Sequence, residues 1–324
     1  MKAYKLKFYS SFHLDSETAV DGLSEIFIKS DTLFSAICSA ANKFYGNEIV
    51  EEFLFPGNVI VSSAFPFYKE ELFFPKPMSY FPEIEDYEII KEFKKIKFIS
   101  QNYLNFIAQG NKIETSLLRK DFILNGCWMS KRVGNSDLIF KTYESPHIVL
   151  DRISNATQIF YKTEVYFSTQ PQAGLYFIAD VKDELVTKFE TVLRFLGDEG
   201  IGADRTIGKG LFAVEEIRNF SLPTCEGTNF YYLLSMYSPN ETEFNSILPK
   251  ESFYDFEIRK GWITNNTLRR KALRMFREGS VIKVNSNIPL KGMIHKVLDR
   301  NEYSERLQTD IFRSGQVIAM PIKG

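Results

Sequence analysis

The chain has 324 residues, of which 44% are apolar and 15% aromatic, including 30 Phe; this excludes intrinsic disorder and supplies material for a sizeable core. Lys and Arg number 40 against 41 Asp and Glu, so no global charge draws the protein to nucleic acid or to an anionic membrane, and any polyanion site must come from locally segregated charge. Cys38, Cys127 and Cys225 are scattered without a CxxC or Cys/His cluster, the pattern of reduced thiols rather than of disulfides or a zinc site.

The N-terminus, MKAYKLKFYSSF, lacks the apolar run of a signal peptide, and no stretch approaches the roughly 18 continuous apolar residues of a membrane span. A cytoplasmic protein with no membrane contact is expected. Residues 3 to 9, AYKLKFY, alternate apolar residues with Lys and predict a strand with one solvated face. Ser30-Asp31 precedes Leu33, Phe34, Ile37, Ala40, Ala41 and Phe44 at helical spacing, which predicts a helix capped by Asp31 and closed by Gly46. Residues 59 to 67, VIVSSAFPF, read as the next strand.

From about residue 69 to 158 the chain departs from this rhythm. FFPKPMSYF and the Lys-rich helical stretch KEFKKIKF are followed by an alternating segment, residues 121 to 141, around the turn-forming residues 133 to 136; a protruding β-hairpin is expected there. Strands at 162–167 and 173–179 flank STQPQ, a helix over 183–196 buries Leu185, Val186, Phe189, Val192, Leu193 and Leu196, and a strand covers 211–217.

The resulting order β, α, β, interruption, β, α, β is the split βαβ pattern. Further strands near 229–237, 254–262, 281–284 and 316–322 predict a second domain of similar, more degenerate type. The predicted fold is therefore α+β, with two ferredoxin-like (RRM-like) domains. Residues 1–221 form the first, with an insertion at about 69–158 carrying a thumb-like hairpin, and residues 222–324 the second.

Between the second helix and the last strand of the first domain lies GIGADRTIGKG, residues 200 to 210, with four glycines. Backbone without side chains can approach a ligand closely and turn N–H groups onto phosphate, while Arg205 adds a planar fork and Lys209 a point charge. The Walker A order is met only in part, and the loop follows a helix and precedes a strand, the reverse of a P-loop, so nucleotide hydrolysis is disfavoured.

No triad or nucleophile-elbow spacing surrounds His13, His147 or His295. Asp15, Asp21 and Asp31 could together offer a divalent cation hard oxygen ligands, although Asp31 is already explained as a cap and the other two as loop residues. No catalytic residue, metal or cofactor is predicted. Residues 259 to 283 hold eight cations, Arg259, Lys260, Arg269, Arg270, Lys271, Arg274, Arg277 and Lys283, against one acid, Glu278, which favours RNA phosphate or an acidic protein over a merely solvated face. The insertion interleaves Arg119, Lys120, Lys131, Arg132, Lys141 and Arg152 with Phe122, Trp128, Phe140 and Tyr143, a composition suited to base stacking beside phosphate contacts or to packing on its own domain.

Taken together these features resemble the RAMP superfamily of CRISPR proteins, whose members carry a Gly-rich loop between the second helix and last strand of a ferredoxin-like domain. The blocks YKLKFYSSFHL, IKSDTLFSAICSAANKFYG, FFPKPMSYF, KKIKFIS, IVLDRISNATQIFYKTEVYFS, LRRKALRMFREGSVIKV and DIFRSGQVIAMPI are similar, in the same order, to the family of the fourth subunit of the Csm complex, the type III-A effector. The resemblance implies a non-catalytic RNA-binding subunit for antiviral defence. Such a subunit binds the 5′ handle of the guide RNA, caps the backbone filament next to the third Csm subunit, and docks the large polymerase-like subunit. By the same likeness, Gly202, Arg205, Thr206, Gly208, Lys209 and Gly210 line the handle groove. His13 and Ser30 meet it, Arg152 matches the basic position of IVLDR, and Lys131 and Arg132 are assigned to the hairpin. The main rival is a metal-dependent endoribonuclease using Asp21; a second, the guide-processing ribonuclease of the wider superfamily, relies on a His near the first helix, and residues 31 to 45 contain none; a third is a protein-binding module that presents residues 259 to 283 to an acidic partner.

Overall fold

The first strand, β1 (Lys2–Phe8), is an interior strand of the principal sheet, and its apolar residues Ala3, Tyr4, Leu6 and Phe8 are buried. This computed structural model describes residues 1–14, 27–82, 86–114, 118, 120–132, 134, 137–151, 156–170, 172–263, 268–285, 289–303, 307 and 309–323. After β1 come α1 (Ser30–Tyr45), α2 (Asn47–Leu54), β2 (Val59–Val61), β3 (Phe65–Tyr68) and β4 (Glu71–Pro75). The insertion continues with α3 (Tyr87–Lys95), β5 (Phe98–Ser100), α4 (Gln101–Ala108), β6 (Ile123–Leu124), β7 (Cys127–Trp128) and β8 (Phe140–Leu150). Then follow β9 (Thr157–Phe167), β10 (Ala173–Val181), α5 (Val186–Glu199) and β11 (Phe212–Ile217).

The sheet runs β11-β1-β10-β3-β4-β5-β7-β6, with β2 also on β10. Its first four members occur in the order last, first, third, second of the βαβ, βαβ series. Tyr4 of β1 packs on Phe177 of β10 and Phe189 of α5, tying sheet to helix. The face expected to be solvated is partly closed: Lys5 is buried, lies over the Phe67 ring and reaches Glu70 at 3.2 Å, because the β3–β4 turn folds across it. The single strand expected over 59–67 is two. Ser62 bonds both ways with Ile178, while Ser63 donates from its backbone to Leu234 and accepts from Ser30, so the chain bends toward the C-terminal part before re-entering the sheet.

The insertion extends the sheet rather than standing off it. Asn125-Gly126, both with positive φ, makes the tight β6–β7 turn that an Asn-Gly pair favours. Trp128 is fully buried against Tyr103, and Phe140 is buried too, so two of the aromatics considered for base stacking are core residues. The projecting hairpin exists but is displaced: β8 pairs with β9 from Phe140↔Phe167 to Leu150↔Thr157, instead of spanning 121 to 141. Eleven paired positions outweigh the alternation around residues 133 to 136. Pro146 is tolerated because an isolated two-stranded ribbon leaves one N–H edge of each strand unpaired. β9 therefore bonds to β8, not across STQPQ to β10.

The C-terminal part contains β12 (Phe230–Leu233), α6 (Glu241–Ser246), β13 (Phe256–Arg259), β14 (Leu273–Phe276), β15 (Val281–Lys283), β16 (Ile294–Leu298), β17 (Ile311–Ser314) and β18 (Ala319–Ile322). A sheet β15-β12-β18 is flanked by the ribbons β13–β14 and β16–β17. Asn240 and Glu243 form a capping box on α6, and Glu243, buried, also accepts from the backbone N–H groups of Lys291 and Gly292. Tyr232, Leu234, Val281, Ile318 and Met320 belong to the same apolar cluster as β10 and α1, so the core runs unbroken into the C-terminal part. No helix among the described residues is long and apolar enough to cross a membrane.

Candidate functional site

The Gly-rich loop starts where α5 ends. Gly200, at φ 81°, donates to Leu196 O at 2.8 Å; Asp204, in the left-handed region, then opens a single 3-10 turn over Arg205–Ile207, and Gly208 at φ 81° closes it into β11. The loop is laced to the chain leaving β1: Ala203 N donates to His13 O at 2.9 Å, Gly210 N to Ser11 O at 2.7 Å, and Leu211 N to the Ser10 hydroxyl at 2.8 Å.

Three of the four glycines are there for close packing, among them Gly200, where a Cβ would stand 2.5 Å from Lys209 O. A Cβ on Gly210 would stand 2.0 Å from Ile201 O, and one on Gly202 2.4 Å from His13 O, both at positive φ. The N–H groups of Ile201, Ala203, Gly208 and Gly210 are committed to internal carbonyls. What the loop turns to solvent is side chain: Arg205, Thr206 and Ile207 are exposed.

Charge around the loop is organised by the polar face of β9. Lys209 is paired with Glu164, which is buried and also accepts from Ser11 Oγ at 2.8 Å and Tyr166 OH at 3.1 Å. Burial alone would raise the Glu164 carboxyl, but the bonds from Lys209, Ser11 and Tyr166 outweigh it and hold it below its ordinary value. Lys162 bonds Asp204 at 2.8 Å, the first cause of that carboxyl's lowered pKa. His13 is buried with Nδ1 at 2.7 Å from Thr163 O. Arg205, in contrast, has no side-chain partner among the described residues.

His13, Gly202, Arg205, Thr206, Gly208, Lys209 and Gly210 thus come together, at the base of the β8–β9 hairpin. Ser30 does not join them: it is buried at the junction with the C-terminal part, where its hydroxyl accepts from Met236 N at 2.9 Å. Lys131 and Arg132 are exposed before β8 begins, outside the observed hairpin, and Arg132 lies 3.2 Å from Asp121. Arg152, Asp15, Asp21 and Arg119 lie outside the described residues.

Asp31 neither caps α1, whose N-cap is Lys29, nor faces solvent. It is 1% exposed and takes Arg259 Nε at 2.9 Å and Arg313 Nη1 on the same oxygen. Burial would raise its pKa; Arg259 and Arg313 outweigh that and lower it. Part of the excess of cations in residues 259 to 283 is likewise met by acids from outside that segment or at its edge. Arg259 bonds Glu257 at 2.8 Å, Arg277 bonds Asp255 at 3.1 Å, Lys283 pairs with Glu251, and Lys29 links Glu257 and Glu278 at 2.9 and 2.6 Å. Arg269 and Arg274 lie over the Trp262 and Phe256 rings. Among the described residues, no group of three or more His, Cys, Asp or Glu could hold a metal ion.

Residues 226–322 match the family model for the CRISPR Csm4 C-terminal domain. The CRISPR system Cms protein Csm4 of Thermococcus onnurineus (strain NA1) is 28% identical over 269 residues, covering 79% of this chain and 81% of that protein. A chain in the crystal structure of the Csm3–Csm4 subcomplex of the type III-A CRISPR-Cas interference complex superposes with TM-score 0.69 at 19% identity, covering all of both chains. One in the crystal structure of a Csm1–Csm4 cassette with cA4 superposes with TM-score 0.62 at 19% identity, covering 99% of this chain and 97% of that one. The chain is thus similar to the Csm4 C-terminal domain over residues 226–322 and to a curated Csm4 protein over most of its length, and it shares the fold of Csm4 chains solved in complexes.

Proposed function

We propose that the protein is the non-catalytic, RNA-binding Csm4 subunit of a type III-A effector, holding the 5′ handle of a guide RNA at the loop of residues 200 to 210. The observation that carries this reading is Arg205: an exposed guanidinium without a side-chain partner among the described residues, on a loop whose backbone is locked to residues 10–13 and to itself. A rigid base with one free planar cation suits a phosphate or base edge, since little ordering entropy remains to be lost on binding. The strand order β11-β1-β10-β3 supports a ferredoxin-like first domain, and the exposed β8–β9 hairpin beside the loop is read as the thumb that marks the end of the handle. The relatives in complexes with Csm1 and Csm3 support docking of the large polymerase-like subunit and of the backbone subunit.

Binding of a single-stranded handle oligonucleotide, measured across salt concentrations, tests the reading. Arg205→Ala should weaken it and reduce the slope of log K against log salt by about 0.7, one phosphate contact. An unchanged slope and affinity would remove the loop from the RNA path. Absence of catalysis is checked separately: with Mg²⁺, Asp21→Ala should leave labelled RNA as intact as the wild type does, and cleavage lost only in the variant would assign the endoribonuclease role instead.

A further inference from the structure

Three guanidiniums lie near the start of α1, and among the described residues the acids there bond only two of them. Arg259 divides its donors among Asp31 Oδ2, Glu257 and Thr32 Oγ1, and Arg313, 4% exposed, spends Nη1 on Asp31 and Nη2 on Lys260 O at 3.2 Å. Arg270, half-buried in the segment leading into β14, has its backbone N–H bonded to Gly261 O but no side-chain bond or ion pair among the described residues. Its Nε is buried without an acceptor, as is the Nε of Arg313, while Asp31 Oδ1 is buried without a donor. Residues 264–267, which join the two strands, read Thr-Asn-Asn-Thr and bring no carboxylate.

A half-buried guanidinium with no acceptor among the described residues, beside two like charges, costs stability; burial and the neighbouring Arg313 and Arg259 accordingly depress its basicity. Such an arrangement is repaid when an anion fills it. We propose that Arg270, backed by Arg259 and Arg313, forms an oxyanion-binding site for a phosphate group, separate from the glycine loop. The phosphate is either a free inorganic anion or a phosphodiester of RNA. Planar guanidinium forks suit such an oxyanion better than an ammonium would, and the site requires no RNA function for the loop.

The test is thermal unfolding of the full chain in sodium phosphate against sodium chloride at matched ionic strength, with Arg270→Gln and the exposed neighbour Arg269→Gln as control. Wild type and Arg269→Gln should be stabilised by phosphate, with Arg270→Gln binding it at least about tenfold more weakly, and Arg270→Gln should melt no lower than wild type when phosphate is absent. An equal phosphate response in wild type and Arg270→Gln, or an Arg270→Gln protein that melts well below wild type in chloride, would overturn the site. The source is separated with a single-stranded RNA octamer. If RNA competes with phosphate and binds Arg270→Gln more weakly, the ligand is a phosphodiester. If RNA affinity is unchanged while the phosphate response is lost, it is a free anion. A loss of RNA binding in Arg205→Ala with an intact phosphate response would keep this site apart from the loop.

Discussion

Asp31→Asn removes one negative charge from the most buried ion cluster of the molecule. The wild-type carboxylate is 1% exposed and holds Arg259 at 2.9 Å and Arg313 on a single oxygen. At an effective dielectric near 20, each contact of about 4 Å between charge centres is worth roughly 4 kcal/mol, most of it offset by the desolvation of three ions. Loss of the anion leaves Arg313 with only the Lys260 carbonyl, while Arg259 keeps Glu257 and Thr32, so the net destabilisation should be about 3–5 kcal/mol, the range for one removed partner of a buried pair. Urea unfolding in phosphate-free buffer, followed through buried Trp128 and exposed Trp262, reads it directly. The sign with pH follows from the lowered carboxyl: its stabilisation is fully present above the unfolded value of about 3.9 and is lost as pH falls through the folded value. The gap between wild type and variant should therefore be constant from about pH 7 to 5 and close only below about pH 4. A gap under about 1 kcal/mol at pH 7, or one that closes near neutrality, would refute the assignment of Asp31 as the anchor of the cluster.

Gly210→Ala, with its Cβ 2.0 Å from Ile201 O, should destabilise the protein by more than about 2 kcal/mol and abolish handle binding, whereas Gly208→Ala, facing open space at similar φ, should cost only about 1 kcal/mol; paired denaturation curves distinguish them. Glu164→Gln frees Lys209 while keeping acceptors for Ser11 and Tyr166, so RNA should bind more tightly with a salt slope steeper by about 0.7. An unchanged slope would mean that Lys209 already reaches the RNA in the wild type.

The sequence was most readable where pattern and punctuation agree locally. The helical spacing through Ala41 with Gly46 behind it, and the apolar face of α5 running into Gly200, gave elements that stand within a few residues of their observed bounds. The placement of the glycine loop between helix and strand was equally legible. The hairpin lies later than expected because residues 121 to 141 alternate in polarity as a strand does; the Asn125-Gly126 turn inside that window closes only the short β6–β7 pair, and the long matching alternation of β8 and β9 begins at its end. The cations of residues 259 to 283 looked unpaired for a different reason: Asp31 precedes Arg259 by 228 positions and Arg313 by 282, and charge pairing at such separations has no local signature. Glu164 escaped notice likewise, as one acid in an alternating strand, although it decides whether Lys209 is available.

The position of β1 has a consequence for biosynthesis. β1 is synthesised about 170 to 210 residues before its two neighbours, β10 and β11. At about 5–20 residues per second, β1 waits roughly 10–40 s with both edges unpaired and Tyr4, Leu6 and Phe8 uncovered. Closing so long a loop also makes the contact order high and the fold slow to nucleate. This interior strand of the finished sheet is thus exposed to mispairing during synthesis, and truncation of the chain before β11 should leave it without one of its two neighbours.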